Sequence, residues 1–376
     1  MALTYDGTAG ITFNDGSQMG SAGSLGMRNR IINGNIIIDQ KSSNTLNTAV
    51  TTVTNATTYT VDRWVCGYIT SGTFTIQQVS DAPAGFSRSL KLTMSTATTA
   101  NDYGYIGQRI EALNALDLNW GTSSTQPCTL SFWAKSSITG TFCAAILYYN
   151  SSSYAASYFA PYTINSANTW QYITITIPGA PATYSAFNGL PNTLYASIIP
   201  FVITSSGYTN TVTPNTWLSG TPGFTVAGRT DLGSVNNATF QITGVQFEKG
   251  SVATPFEFRH YGTELALCQR YLPAYMNNGL ANMGIGTTTT NTVTYTALPL
   301  PVQTRVAPTG LVVSNSAHFA VGVNSGTICG TVAFNSATDK TAIVQGVVVS
   351  GLTANQVSIM ASVNANSYIY FTGCEM

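Results

Sequence analysis

Aromatic side chains that could bind sugars cluster in one short part of the 376-residue chain. Seven of them fall within the 23 positions from 148 to 170, interleaved with asparagine and serine. Planar rings stack on the apolar faces of sugars, and neighbouring amides and hydroxyls bond sugar hydroxyls. The same rings would also suit a sandwich core or a seam between subunits. The predicted glycan-binding residues are Tyr148, Tyr149, Tyr154, Tyr158, Tyr162 and Trp170.

Residue patterns for catalysis are sparse. The two histidines, His260 and His318, are far apart, and no Gly-x-Ser-x-Gly motif accompanies them. Asp102, Glu111 and Asp117 are candidates for the paired carboxylates of a glycosidase. Most other acidic residues lie at turn signals or beside Arg or Lys, where turn formation and ion pairing account for them. The sequence therefore predicts no catalytic residues and no enzyme, with a polysaccharide depolymerase as the open alternative.

Metal and cofactor motifs are also lacking. The six cysteines show neither a Cys-x-x-Cys pair nor a metal-ligand spacing, so we expect buried, unpaired core thiols. No Asp-rich calcium loop is present, although a Ca²⁺ site built from carbonyl groups stays open. We predict no cofactor.

Charge is unusually low for a soluble chain and limits the classes of partner. Only 7% of residues are charged, against roughly 25% on average, and 14 basic residues balance 14 acidic ones. Without a basic cluster, nucleic-acid binding is disfavoured. The N-terminus does not resemble a signal peptide, and no stretch approaches the ~20 apolar residues of a membrane span. If the protein works outside a cell, release by lysis inside a particle fits this sequence, and we expect no membrane insertion.

Period-two alternation of apolar and polar residues recurs from about 59 to 259, as half-buried strands require. The predicted fold is all-β. Its parts are an N-terminal attachment segment at 1–58, a central jelly-roll-like β-sandwich at 59–260, a helical connector at 261–275 and a C-terminal β-domain at 276–376. Asn33-Gly34 predicts a hairpin, and Thr263 is the expected N-cap of the short helix. The apolar run at 346–349 predicts a strand covered on both faces, with a neighbouring subunit as a candidate cover.

Several segments resemble bacteriophage tail-fibre and related virion proteins. Residues 10–18 (GITFNDGSQ), 29–40 (NRIINGNIIIDQ), 61–64 (VDRW) and 130–135 (LSFWAK) match elements of their β-domains. The longest match is 244–259 (GVQFEKGSVATPFEFR), continued by 264–271 (ELALCQRY). These motifs resemble the end of a sandwich similar to carbohydrate-binding modules. Val61 and Phe247 depart conservatively from the usual Ala and Leu, and the last hundred residues match no such motif.

The resemblance implies a virion location, frequent homotrimers and adhesion to host surfaces. We therefore predict a tail fibre that acts in host attachment and recognises host surface glycans. Its predicted partners are other copies of itself, virion proteins bound through the N-terminal segment, and host cell-surface polysaccharide. A capsid decoration or head-fibre protein without a receptor role is the first alternative, and the depolymerase is the second.

Overall fold

The computed structural model describes residues 4–6, 10–12, 18–19, 27–42, 51–53, 58–67, 71–98, 102–150, 153–184, 195–204, 211–220, 225–277, 281–323 and 326–376. The fold is all-β, as predicted, with a single α-helix in the part of the chain described. No helix there is long and apolar enough to cross a bilayer.

Eighteen strands among the described residues precede the helix. Strands β1 (Thr4–Asp6), β2 (Gly10–Thr12) and β3 (Gln18–Met19) form a small antiparallel sheet. The other strands are β4 (Thr51–Val53), β5 (Thr58–Tyr59), β6 (Val65–Gly67), β7 (Thr73–Val79), β8 (Ser89–Thr96), β9 (Gly104–Glu111), β10 (Cys128–Ser136), β11 (Gly140–Asn150), β12 (Ser153–Ile164), β13 (Gln171–Ile177), β14 (Tyr195–Thr204), β15 (Thr211–Val212), β16 (Trp217–Ser219), β17 (Thr225–Val226) and β18 (Thr239–Lys249). Single 3-10 turns lie at Gln40–Ser42, Ala112–Asn114, Leu116–Leu118 and Leu232–Ser234.

Two antiparallel sheets face each other as a jelly-roll-type sandwich. The front sheet has the order β13-β10-β18-β8-β7-β4, and the back sheet has the order β16-β12-β11-β14-β9-β6-β5. Large aromatic side chains fill the space between them, including Phe132, whose ring lies edge-on to Phe201 at 4.9 Å between centroids. Because alternate residues of every strand point inward, this core fixes which side chains face water.

The rest of the chain begins with the helix α1 (Tyr261–Gln269) and continues as a second β-domain. Its strands are β19 (Ala274–Asn277), β20 (Ala281–Thr288), β21 (Val293–Pro299), β22 (Gly310–Val313), β23 (Phe319–Gly322), β24 (Thr327–Ile328), β25 (Thr331–Ala337), β26 (Thr341–Val347), β27 (Val357–Ser362) and β28 (Ser367–Thr372), with a 3-10 turn at Ser316–His318.

The C-terminal domain has a core of its own between two sheets. A seven-stranded sheet has the order β24-β23-β27-β20-β21-β26-β25, and a three-stranded sheet has the order β19-β28-β22. Leu298, Val344 and Met360 of the larger sheet share one buried cluster with Ile369 and Phe371 of the smaller. The small sheet therefore covers one face of the large sheet.

Three local predictions are wrong. The apolar run at 346–349 is not a strand covered on both faces, because β26 ends at Val347 and Val349 is 91% exposed. Asn33-Gly34 does form a turn, but no strand flanks it, because the Asn33 side chain bonds the backbone N–H and carbonyl of Ile38. This segment lies against β18, where the backbone N–H of Val245 donates to the carbonyl of Gly34 at 2.9 Å. The helix begins two residues earlier than the predicted cap, and His260 Nδ1 accepts from the N–H of Gly262.

The motif residues at 244–259 hold separate segments of the sandwich together. The Glu257 carboxylate accepts from the backbone N–H groups of Arg28 and Asn29 at 3.1 and 2.9 Å. The Glu248 carboxylate accepts from the N–H and hydroxyl of Thr254 at 2.9 and 2.7 Å. Buried polar groups are stable only when paired, so these residues specify the fold of the module.

A second set of polar contacts joins the sandwich to the C-terminal domain, and we call it the junction. The Arg63 guanidinium pairs with Glu375 at 2.5 Å and lies 3.5 Å from the centre of the Tyr271 ring. The Glu111 carboxylate accepts from Arg270 at 2.7 Å and from the Tyr271 hydroxyl at 2.7 Å. The two domains are thus joined by side-chain contacts as well as by the chain. The predicted domain limits stay a prediction.

All six cysteines lie among the described residues, and each is buried with a free thiol, as predicted. Burial raises the pKa of Cys66, Cys128 and Cys143 to about 12. These thiols therefore act as small apolar core groups.

Candidate functional site

The water-facing side of the front sheet carries two aromatic rings on neighbouring strands. In β13 the residues Ile173, Ile175 and Ile177 point into the core, so Tyr172 points outward and is 44% exposed. Trp133 of β10 lies directly opposite Tyr172 in the antiparallel register. Their ring centroids are 5.3 Å apart, with the planes tilted by 50°. The pair forms an apolar platform across two strands.

The neighbouring row of the same surface supplies polar groups and a third ring. Trp170 immediately precedes β13, and its indole N–H donates to the Asp81 carboxylate at 3.3 Å. Gln241 of β18 donates to the same carboxylate at 3.2 Å, and Lys135 of β10 forms an ion pair with it. The Lys135 ammonium also lies 5.0 Å from the centre of the Trp170 ring, within cation–π range. We call Trp133, Trp170, Tyr172, Asp81, Lys135 and Gln241 the aromatic face.

The charge state of Asp81 is set by these partners. Partial burial acts to raise the pKa of Asp81, but the hydrogen bonds from Lys135, Gln241 and Trp170 outweigh burial and leave that pKa below its usual value. The carboxylate is therefore ionised at neutral pH, and it holds three side chains in fixed positions. Such preorganisation reduces the entropy lost when a ligand binds.

The rest of this sheet surface is closed by the chain itself. Glu248 and Gln246 point away from the core but lie under the segment that follows β18, where Gln246 donates to Thr254 and to Glu248. Nearby, Gly244 has a φ of +60°, and a Cβ there would lie 2.6 Å from the Phe86 ring. Glycine is needed at this bulge because Phe86 packs directly on the strand. The part of β18 that carries these residues is therefore covered, and the aromatic face lies beside it on the open side.

The predicted sugar-binding residues separate into three groups. Trp170 lies on the aromatic face. Tyr158 and Tyr162 are 3% and 7% exposed in the sandwich core, and this corrects their prediction as a sugar surface. Tyr162 packs edge-on against Phe132 at 5.2 Å because β12 turns that side of the strand inward. The side chains of Tyr148, Tyr149 and Tyr154 are outside the described residues, so their prediction stays untested.

The prediction missed Trp133, Tyr172, Asp81, Lys135 and Gln241. Strand alternation indicates two of them, because Tyr172 and Trp133 occupy outward positions between residues that point inward. The sequence does not contain the register that brings β10, β13 and β18 side by side. Asp81 lies in the loop before β8, far from the others in the chain.

The carboxylates considered for catalysis have structural partners. Asp102 accepts from the backbone N–H of Ser71 at 3.1 Å, and Asp117 forms an ion pair with Arg30 at 2.8 Å. Glu111 is held by Arg270 and Tyr271 at the junction. Within the described ranges, no group of three His, Cys, Asp or Glu side chains is placed to hold a metal ion.

Comparison with known proteins gives structural similarities at low identity. No protein-family model matches the chain, and no curated protein matches it. A solved structure of the enzymatically active domain of tailspike protein 4 from bacteriophage CBA120 matches with 17% identity and a TM-score of 0.31, covering 59% of this chain and 22% of the tailspike chain.

Two sugar-related structures match at similar levels. A putative sugar-binding protein from Bacteroides thetaiotaomicron matches with 13% identity and a TM-score of 0.32, covering 59% of this chain and all of that one. A family 11 carbohydrate-binding module of a Clostridium thermocellum cellulase matches with 12% identity and a TM-score of 0.28, covering 57% of this chain and all of that one. Similarity at these identities and TM-scores does not indicate what this chain binds.

Proposed function

We propose that this chain is a glycan-binding structural protein of a virion, a bacteriophage tail fibre that acts in host attachment. The observation that carries the binding part is the aromatic face. Three rings share one surface with the Asp81 carboxylate and the Lys135 ammonium, and the buried Gln241 amide donates a hydrogen bond to the carboxylate. Rings that stack on a sugar, beside fixed polar groups that select its hydroxyls, make up a carbohydrate site.

The chemistry of the face favours binding over bond cleavage. Glycosidases need two carboxyl groups about 5–10 Å apart on either side of the scissile bond. Among the described residues, Asp81 is the acidic side chain of the aromatic face, and its oxygens are occupied by Lys135, Gln241 and Trp170. Glu248, on the same sheet, is covered and bonded to Thr254. The proposed activity is therefore adhesion without hydrolysis, on host cell-surface polysaccharide.

The virion part of the proposal is supported by the motif segments. Residues 244–259 and 264–271 resemble tail-fibre proteins, and in this fold they supply the contacts of Glu257, Glu248 and the junction. The proposal includes a homotrimer, attachment to other virion proteins through the N-terminal segment, and assembly in the host cytoplasm before lysis.

Substitutions on the aromatic face test glycan binding. We expect Trp133→Ala and Tyr172→Ala each to weaken binding of host polysaccharide at least tenfold in calorimetric titration, which corresponds to about 1.4 kcal/mol. Tyr261→Ala is the matched control, because Tyr261 is also an exposed tyrosine (48%) but lies at the start of α1. Equal binding by the wild type and both folded face variants would remove the site assignment.

Virion attachment is tested by truncation. Residues 29–40 pack into the sandwich, so the informative deletion ends at residue 26. We expect particles that are assembled with the shortened chain to lack it on their tails. Loss from heads would favour a decoration protein instead, and shortened polysaccharide chains after incubation with the purified protein would establish a depolymerase.

A further inference from the structure

The large sheet of the C-terminal domain has an aliphatic surface on the side opposite its core. The register places Ile285 of β20 beside Ile359 of β27 and beside Ala297 of β21, which in turn pairs with Ile343 of β26. The next outward row runs through Val357, Thr287, Tyr295, Gln345 and Ala333. We call these two rows, with Val293 and Val347, the aliphatic face.

This surface faces water in the single chain. The alternate residues of the same strands, such as Leu298 and Met360, point to the opposite side and pack against the three-stranded sheet. Ile285 is 67% exposed and Val357 is 62% exposed. An antiparallel sheet with one wet side normally alternates apolar and polar residues, and this sheet places aliphatic residues on both sides.

Charge is absent from the aliphatic face. Apart from His318, the ionisable acids and bases after residue 276 are Arg305, Asp339, Lys340 and Glu375. Arg305 and Glu375 lie at the junction, where Arg305 donates to the carbonyl of Cys374. Asp339 and Lys340 lie in the turn between β25 and β26. The described part of this five-strand surface therefore contains no charged side chain.

The size of the face fits a subunit contact. Five strands at ~4.8 Å and about five residues at ~3.4 Å give roughly 400 Å². A stable interface buries about 800 Å² per partner, so the face would supply about half of one such contact. Interfaces have an apolar centre and a polar rim. The row that contains Ile285, Ile343 and Ile359 matches the centre, and the polar side chains of the next row suit the rim.

We infer that a second copy of this chain covers the aliphatic face. This inference rests on the proposed function, because it identifies the surface through which the chain would self-assemble. An uncharged face offers no complementarity to a charged partner, and contact between two copies of it brings no like charges together. Closed homo-oligomers bury the same surface of every subunit, so three copies that direct this face toward a common axis would satisfy the homotrimer of the proposed function.

Sedimentation of the full chain tests this inference. We expect the wild type to sediment as an oligomer at micromolar concentration and the double variant Ile285→Lys/Val357→Lys to sediment as a monomer, with at least a 100-fold weaker association. Val252→Lys is the matched control, because Val252 is 71% exposed but follows β18 in the sandwich. A monomeric wild type, or an oligomeric double variant, would overturn the inference.

A second variant keeps the test informative if the double variant does not fold. Thr287→Lys replaces an exposed polar side chain in the same outward row and leaves the core untouched. If the double variant does not fold, an unchanged oligomer of Thr287→Lys overturns the inference and a monomer supports it.

Polysaccharide titration separates this inference from the proposed function. Lost binding by an intact oligomer contradicts only the glycan site. Intact binding by a monomeric wild type contradicts the interface and the homotrimer but not the glycan site.

Discussion

Two open sheet surfaces among the described residues are built by the same strand alternation but present different chemistry. The aromatic face of the sandwich combines rings with a buttressed carboxylate, as in the contact of Trp170 with Asp81. The aliphatic face of the C-terminal domain has branched side chains such as Ile285 and Val357 and no charge. A polar ligand with apolar patches suits the first surface, and a protein surface of the same kind suits the second.

The difference lies in the outward residues, because the inward ones of both sheets are ordinary aliphatic and aromatic core. Fixed hydrogen-bond groups confer selectivity, since a ligand that leaves them unpaired loses binding energy. An uncharged aliphatic surface confers little selectivity but a large gain on burial. We therefore expect recognition from the sandwich and assembly from the C-terminal domain.

Breaking the junction should have the largest effect on the free energy of unfolding, because the junction links the sandwich to the C-terminal domain. Glu375→Ala leaves the Arg63 guanidinium, 1% exposed, without its carboxylate, and we expect a loss of about 3–5 kcal/mol in the free energy of unfolding. Asp117→Ala breaks the Arg30 ion pair, whose acidic side chain is 56% exposed, and should cost less than about 1 kcal/mol. Urea titration of both variants measures the difference. Similar losses would mean that the junction is not a buried link.

A pH dependence of intermediate size is expected at the same junction. Burial raises the pKa of Asp62 to about 7, although hydrogen bonds from Gln40 oppose this rise. The folded state thus keeps a proton that the unfolded chain releases near pH 4. The stability from Asp62 is full below that pH and is lost as pH rises through 7.

The expected loss from this group between pH 5 and pH 8 is on the order of 2 kcal/mol. Urea titrations of the wild type and Asp62→Asn at both pH values measure it, since the variant lacks the titrating group. A pH dependence that is identical in the two proteins would exclude Asp62 as its origin.

The smallest change in stability is expected for a substitution of Asp81 on the aromatic face. Asp81→Asn removes the charge that Lys135 neutralises, and because the pair is half exposed we expect a change in stability within about 1 kcal/mol. Polysaccharide affinity should still fall several-fold, since Trp170 and Lys135 lose their fixed positions. Calorimetric titration beside thermal melting checks both. A large drop in melting temperature with unchanged affinity would make Asp81 a structural residue only.

Much of the fold could be predicted from the sequence, because alternation is a local property. The strands around Trp133, Ile173 and Ile242 have period two, and the structure has strands there. The Asn33-Gly34 hairpin could not be excluded, since the side chain of Asn33 bonds Ile38 only in the folded context. The buried partners of Glu257, more than 200 residues away in the chain, likewise depend on the tertiary fold.

The site was harder to predict, for a physical reason. The dense cluster of tyrosines in the sequence predicted Tyr158 and Tyr162 as sugar-binding residues. Both occupy inward-facing strand positions and are buried in the core. Local composition does not show which side of a strand faces water until its neighbours and register are known. Trp170 lies on the aromatic face, but its partners Asp81 and Lys135 come from two other elements.

Hydrogen–deuterium exchange of the full chain with and without host polysaccharide tests most directly the claim that the two faces have separate roles. The account predicts slower exchange on polysaccharide binding in β10, β13 and the loop that contains Asp81, with no change in β20, β21 and β27. Slower exchange confined to the C-terminal sheet, or none in the front sheet at saturating polysaccharide, would contradict it.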